Sequence, residues 1–71
     1  MSWNYRVMKR KNESGEYDYG IHEVFYDENG KVIFWTLESL TPVCPSEEGL
    51  MDELHLMLKA FKEETIVYKE E

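Results

Sequence analysis

The side chains here with the chemistry of catalysts or ligands are His22, Glu23, Cys44 and His55. A histidine beside a cysteine can generate a thiolate nucleophile, and a carboxylate in an apolar setting can serve as a general base. Their placement argues for little of this. His22 falls in a β-prone stretch, His55 in a helical one and Cys44 in a proline-flanked loop, and no Ser/His/Asp or Cys/His order unites them. His55, with Asp52 and Glu53 near it, reads as a solvated helix residue. A metal held by His22 and Glu23 would need a further donor at ligand spacing, which the chain does not offer. Its 4 glycines are scattered, so there is no glycine-rich phosphate loop. No catalytic residue, cofactor or metal is expected.

The elements that position these groups are legible from periodicity. Trp3 to Arg10 alternates, with Trp3, Tyr5 and Val7 on one side and Asn4, Arg6 and Arg10 on the other, the pattern of a half-buried strand over residues 3–10. Asn12-Glu13-Ser14-Gly15 is a turn with its glycine at the left-handed position. The aromatic and β-branched run 17–26 is a second strand. Asp27-Glu28-Asn29-Gly30 is a stronger turn, fitting a three-residue loop, although Asn29-Gly30 alone could make a type I′ turn. Residues 31–37 form a third strand. Pro42 and Pro45 keep the following stretch irregular.

Residues 46–62 read as one amphipathic helix. Ser46 caps it, Glu47 and Glu48 suit its positive end, and Lys59 and Lys62 suit its negative end. Leu50, Met51, Leu54, Met57, Leu58 and Phe61 share a face at helical spacing. Leu56 lies opposite that stripe, either a lone exposed leucine or part of a second contact. Thr65-Ile66-Val67-Tyr68 is β-prone and reads as a short fourth strand or an ordered tail. The fold expected is α+β in two layers: a three-stranded antiparallel meander covered by one C-terminal helix, β-β-β-α, or β-β-β-α-β if the tail pairs. The whole of 1–71 makes one domain.

Three-residue loops at both turns fix a register. Trp3 then faces Phe25, Tyr5 faces Glu23, Val7 faces Ile21 and Arg10 faces Asp18. In the second hairpin Phe25 meets Ile33, Val24 meets Phe34 and Glu23 meets Trp35. Residues directly opposite share a face. The side bearing Trp3, Tyr5, Val7, Tyr17, Tyr19, Ile21, Phe25, Ile33, Trp35 and Leu37 should receive the helix. A one-residue slip would exchange the faces.

Two sites follow. Glu23 falls between Tyr5 and Trp35 on the apolar side, where an unpaired carboxylate is costly. Tyr5, Glu23 and Trp35 are therefore a candidate pocket, or a structural network in which Tyr5, Trp35 or a backbone amide satisfies the acid. On the reverse face Arg6, Met8, Val24, Tyr26, Val32 and Phe34 have no second helix above them, and exposed apolar clusters mark association surfaces.

Composition narrows the classes of function. A chain of 71 residues makes one small core, and with a single cysteine it has no internal disulfide to support it. Packing must stabilise it, helped by self-association. Net charge −7 argues against a nucleic-acid backbone as partner. The basic group Arg6, Lys9, Arg10 and Lys11 reads as a solvated edge that deters strand pairing. No apolar run reaches membrane-spanning length, the N-terminus lacks a signal-type apolar segment, and the free thiol favours the cytoplasm.

The segments Asn4-Tyr5-Arg6-Val7, Gly20-Ile21-His22-Glu23-Val24, Tyr26-Asp27-Glu28-Asn29-Gly30-Lys31 and Trp35-Thr36, with the helix start Ser46-Glu47-Glu48-x-Leu50, resemble a group of short uncharacterised bacterial proteins. The likeness covers nearly the whole chain and implies a shared fold without an activity. More distantly, the strand-strand-strand-helix order and Ser46-Glu47-Glu48-Gly49-Leu50 are similar to the HicB-type antitoxins, whose partial RNase H-like domain neutralises a small ribonuclease toxin. That likeness implies a small basic protein partner. The Pro-Asp-x-Pro-Gly segment of that family is missing after the second strand, and these residues hold no DNA-binding module. The expectation is a non-enzymatic protein-interaction or regulatory module, with a protein partner or a homodimer, no nucleic acid and no membrane.

Overall fold

The computed structural model describes residues 1–70. Three strands come first: β1 (Ser2–Lys11), β2 (Tyr17–Tyr26) and β3 (Val32–Trp35). Helix α1 (Glu47–Leu58) follows, runs on as a 3₁₀ turn (Lys59–Lys62), and leads to β4 (Ile66–Val67). The order across the sheet is β3-β2-β1-β4, antiparallel except where β4 runs parallel to β1. This is the α+β meander with its C-terminal helix and a short fourth strand.

Both turns use the same device. Asn12 and Asp27 each accept two backbone N–H groups on their side-chain oxygen, from Ser14 and Glu16 and from Asn29 and Lys31, at 2.8–3.1 Å. Gly15 and Gly30 take φ of +84° and +80°, the left-handed region where a Cβ is strained. The first hairpin then pairs as expected: Trp3 with Phe25, Tyr5 with Glu23, Val7 with Ile21, Arg10 with Asp18.

The second hairpin departs from expectation one residue beyond its turn. Tyr26 pairs with Val32, but the ladder then shifts, so that Phe25 meets Phe34 and Val24 meets Trp35. A β-bulge opposes two residues to one and turns every later side chain over. Phe34 therefore stacks on Phe25 at 4.5 Å between centroids, and Trp35 moves to the face of Met8 and Val24. The predicted Phe25–Ile33, Val24–Phe34 and Glu23–Trp35 pairs do not form.

Beyond β3 the chain stays attached to β2 through hydrogen bonds from the backbone N–H of Thr36 to the Glu23 carbonyl (3.0 Å) and of Leu40 to Ile21 (2.8 Å). Ser39 is thereby pressed over Gly20, where an added Cβ would lie 2.7 Å from the Ser39 Cβ. Gly20→Ala is expected to cost about 1–3 kcal/mol as overpacking, read from urea unfolding. Wild-type stability in that variant would contradict the close approach.

The helix crosses the Tyr5/Val7 side of the sheet, as expected. Ser46 caps it, its hydroxyl accepting the Gly49 N–H at 3.0 Å. Its rotation was not expected. Met57 and Ala60 are buried and Leu50 and Glu53 half-buried, whereas Met51, Leu54, Leu58 and Phe61 of the predicted core stripe face solvent. At 100° per residue the buried edge and the apolar stripe are about a quarter turn apart.

The reverse face carries the tighter core. Met8, Val24 and Tyr68 are buried there, with Tyr26, Val32, Trp35 and Ile66 packed around them. Strand β4 beside Met8 and Lys9 delivers Tyr68, whose ring meets Trp35 edge-on at 5.9 Å. The backbone N–H of Tyr68 donates to the Lys9 carbonyl at 2.8 Å. The Arg10 guanidinium covers the other face of this packing, 4.1 Å from the Tyr68 ring centroid. Among the described residues no helix is long and apolar enough to cross a membrane.

Candidate functional site

Sheet and helix enclose part of the predicted pocket. Tyr5 and Glu23, paired across β1 and β2, line an open cleft of about 240 Å³ with Glu53, Met57 and residues 40–44. The Tyr5 hydroxyl donates to the Glu53 carboxylate. Trp35 is absent from this cleft, because the bulge carries it to the opposite face; the Tyr5/Glu23/Trp35 constellation is therefore corrected to Tyr5, Glu23 and Glu53. Cys44 is free and half-buried on the cleft wall. His22 lies on the other sheet face and His55 is exposed on the helix, so no Cys–His pair is assembled. Among the described residues no group of three His, Cys, Asp or Glu side chains could hold a metal.

The Tyr5 phenol is pushed up to about 12, first by its hydrogen bond to Glu53, then by burial and by the charges of Glu53 and Glu23. An unfolded phenol ionises near 10. Below pH ~10 both states keep the proton and the contact contributes fully. Between about 10 and 12 only the unfolded chain releases it, so stability falls as pH rises through that window and levels off above it. Urea titrations of wild type and Tyr5→Phe should show this loss in wild type alone. Parallel curves would contradict the Tyr5–Glu53 contact.

His22 is buried and its Nδ1 lies 3.0 Å from the Thr36 carbonyl oxygen. A carbonyl can only accept, so Nδ1 donates this hydrogen bond. Nε2 points toward Gly20, on the wall of a polar cleft of about 190 Å³ shared with Arg10, Asp18, Glu38 and Ser39. The ring's hydrogen bonds go to Thr36, and its face packs against Tyr68 at 5.7 Å. This arrangement pins the loop after β3 to β2.

The predicted association surface on the reverse face is not open. Met8 is 1% exposed and Val24 0%, because β4 and Tyr68 cover them. Arg6 and Tyr26 are tied into an internal chain: Arg6 donates to the Tyr26 hydroxyl (3.0 Å) and the Glu64 carbonyl (2.7 Å), and Tyr26 donates to Asn4 (2.6 Å). Val32 packs on the same core. Phe34 is exposed but lies on the helix-bearing face against Phe25. The six residues thus form a core, a hydrogen-bond chain and one exposed ring.

The exposed apolar surface lies on the helix side instead. Met51, Leu54, Leu58 and Phe61 are 61%, 49%, 63% and 66% exposed. On one flank Phe61 continues into a cleft of about 240 Å³ with Val7, Tyr19, Ile21 and Thr65. On the other, Leu56, Lys59 and Lys62 face Trp3 and Tyr5 across a groove of about 590 Å³. The spacing of these residues was visible in the sequence; their exposure was not, because it depends on how the helix is rotated.

No family profile, curated protein or solved structure matches this chain.

Proposed function

We propose that this chain is a non-enzymatic protein-association module, acting in the cytoplasm, and that its contact surface is the helix-bearing side. One observation carries the reading: four large apolar side chains of the helix and its 3₁₀ extension stand in solvent while the sheet beneath buries only Met57 and Ala60 fully from these two elements. Surface apolar groups scattered singly need no explanation, whereas a contiguous helical row marks a binding face. The free Cys44 suits a reducing compartment. The acids of the Tyr5 cleft are spoken for in part by the phenol, which supports a structural role for them.

Photo-crosslinking from a benzoylphenylalanine placed at Leu58 in cells, compared with one at Glu13, tests the reading. Protein adducts are expected from position 58 and not from position 13. A helix side that yields no protein adduct would overturn it.

A further inference from the structure

We infer that the groove between the start of β1 and the end of the helix binds a small amphiphilic anion, an aromatic body that carries a carboxylate. The groove holds about 590 Å³, within the range of roughly 300–1,000 Å³ over which small-molecule sites fall. Trp3 and Tyr5 form one side and Leu56, Lys59 and Lys62 the other. None of Met51, Leu54, Leu58 and Phe61 lines it, so this site does not depend on what meets that exposed row.

The apolar part of the groove is fixed before any ligand arrives. Trp3 is half exposed, and its ring meets Tyr5 edge-on at 5.2 Å and leans on Phe25 at 6.4 Å. Phe25 in turn stacks on Phe34 at 4.5 Å. The Tyr5 hydroxyl is held by Glu53. These contacts hold the Trp3 indole as a rigid surface, which spares a ligand the entropy of ordering it. Leu56, half exposed on the helix, supplies the facing apolar wall. A planar ring laid between them buries apolar area on both sides, with aromatic contact on one.

Lys59 and Lys62 set the polar end. Residues 59–62 form a 3₁₀ turn, in which side chains three apart eclipse. Both lysines therefore stand in line on the groove wall. Like charges in this relation repel, and the chain carries 15 acids that could separate them. Among the described residues, however, the ion pairs are those of Arg10 with Glu38 and Glu70. Glu63 borders the groove without pairing to either lysine. The helix dipole accounts for basic residues at this end, but not for their sharing a groove with Trp3 and Leu56. A carboxylate between the two ammonium groups relieves their repulsion while its ring occupies the space over Trp3.

Naphthoate is the probe, titrated into the full chain and followed by proton–nitrogen NMR, with neutral naphthamide as its uncharged counterpart. Saturable shifts are expected at the Trp3 indole N–H and along residues 56–63, with a dissociation constant below about 1 mM. The Trp35 indole, packed in the reverse-face core, should not move. Naphthamide should bind about threefold to tenfold more weakly. Combining Lys59→Glu with Lys62→Glu should weaken naphthoate by about tenfold or more. Both lysines are exposed, so the circular dichroism spectrum of that variant should keep its folded form. Leu56→Ser removes apolar wall and should weaken both probes alike. No saturable shift in that range, shifts centred on Leu54 and Phe61 instead of Trp3, or a double lysine variant that binds naphthoate as wild type does would overturn the inference. Equal affinity for the neutral amide would do the same. An acidic aromatic peptide that fills the groove more tightly than naphthoate would overturn the small-molecule assignment.

Discussion

Tyr68→Ala should lower stability by about 3–5 kcal/mol, the range for removing a buried aromatic ring. Such a loss is a large share of the ~5–15 kcal/mol that holds a typical domain together. The ring is the keystone of the reverse-face core: it closes over Met8 and Val24, meets Trp35 edge-on, packs on His22 and carries the Arg10 guanidinium. Its removal empties the space that β4 was brought to fill. Tyr68→Phe keeps the ring and should stay within about 1 kcal/mol of wild type. Urea unfolding followed by tryptophan fluorescence would measure both. A Tyr68→Ala protein as stable as the Phe variant would mean the tail does not cover the sheet.

Val24→Glu should leave the chain unfolded at 25 °C. The side chain is fully enclosed between Met8, Trp35 and the Tyr68 layer. A carboxylate there would have no partner, and an uncompensated buried charge costs several kcal/mol or more. Phe34→Glu supplies the contrast. Phe34 is half exposed on the opposite face, so its replacement should cost mainly the stacking on Phe25, about 0.5–1.5 kcal/mol. Far-ultraviolet circular dichroism of the pair separates the two faces. A folded Val24→Glu protein, or an unfolded Phe34→Glu protein, would reverse the assignment of Val24 and Phe34 to the two faces.

These two experiments bear on the point where sequence reasoning stopped. The first hairpin was legible to the residue, since Asn12 and Gly15 specify their turn locally and alternation carries the register to Trp3. The second turn was legible too, although the two N–H groups that Asp27 accepts within it show only in the structure. The bulge beyond it leaves no local signature, because Val32, Ile33, Phe34 and Trp35 are all apolar and either side of each suits a strand. Choosing Trp35 over Phe34 for the reverse face depends on Tyr68 arriving from a segment far along the chain. The candidate pocket lost Trp35 and the candidate surface lost Met8 and Val24 for that one reason.

By itself the sequence determined what short-range chemistry can specify. Two Asx-glycine turns, a capped helix with acids first and lysines last, two long alternating strands and the Tyr5–Glu23 pairing all follow from residues close together or from a period. Tertiary structure alone decided which apolar set is buried. An alternating or helical pattern marks a side of an element without naming what lies against it, and both sheet faces here could have been covered. The tail took one, and the helix took the other on its Met57 edge, leaving Met51, Leu54, Leu58 and Phe61 exposed. Burial is a competition among distant segments for the same surface, and its outcome depends on non-local contacts that no local window contains.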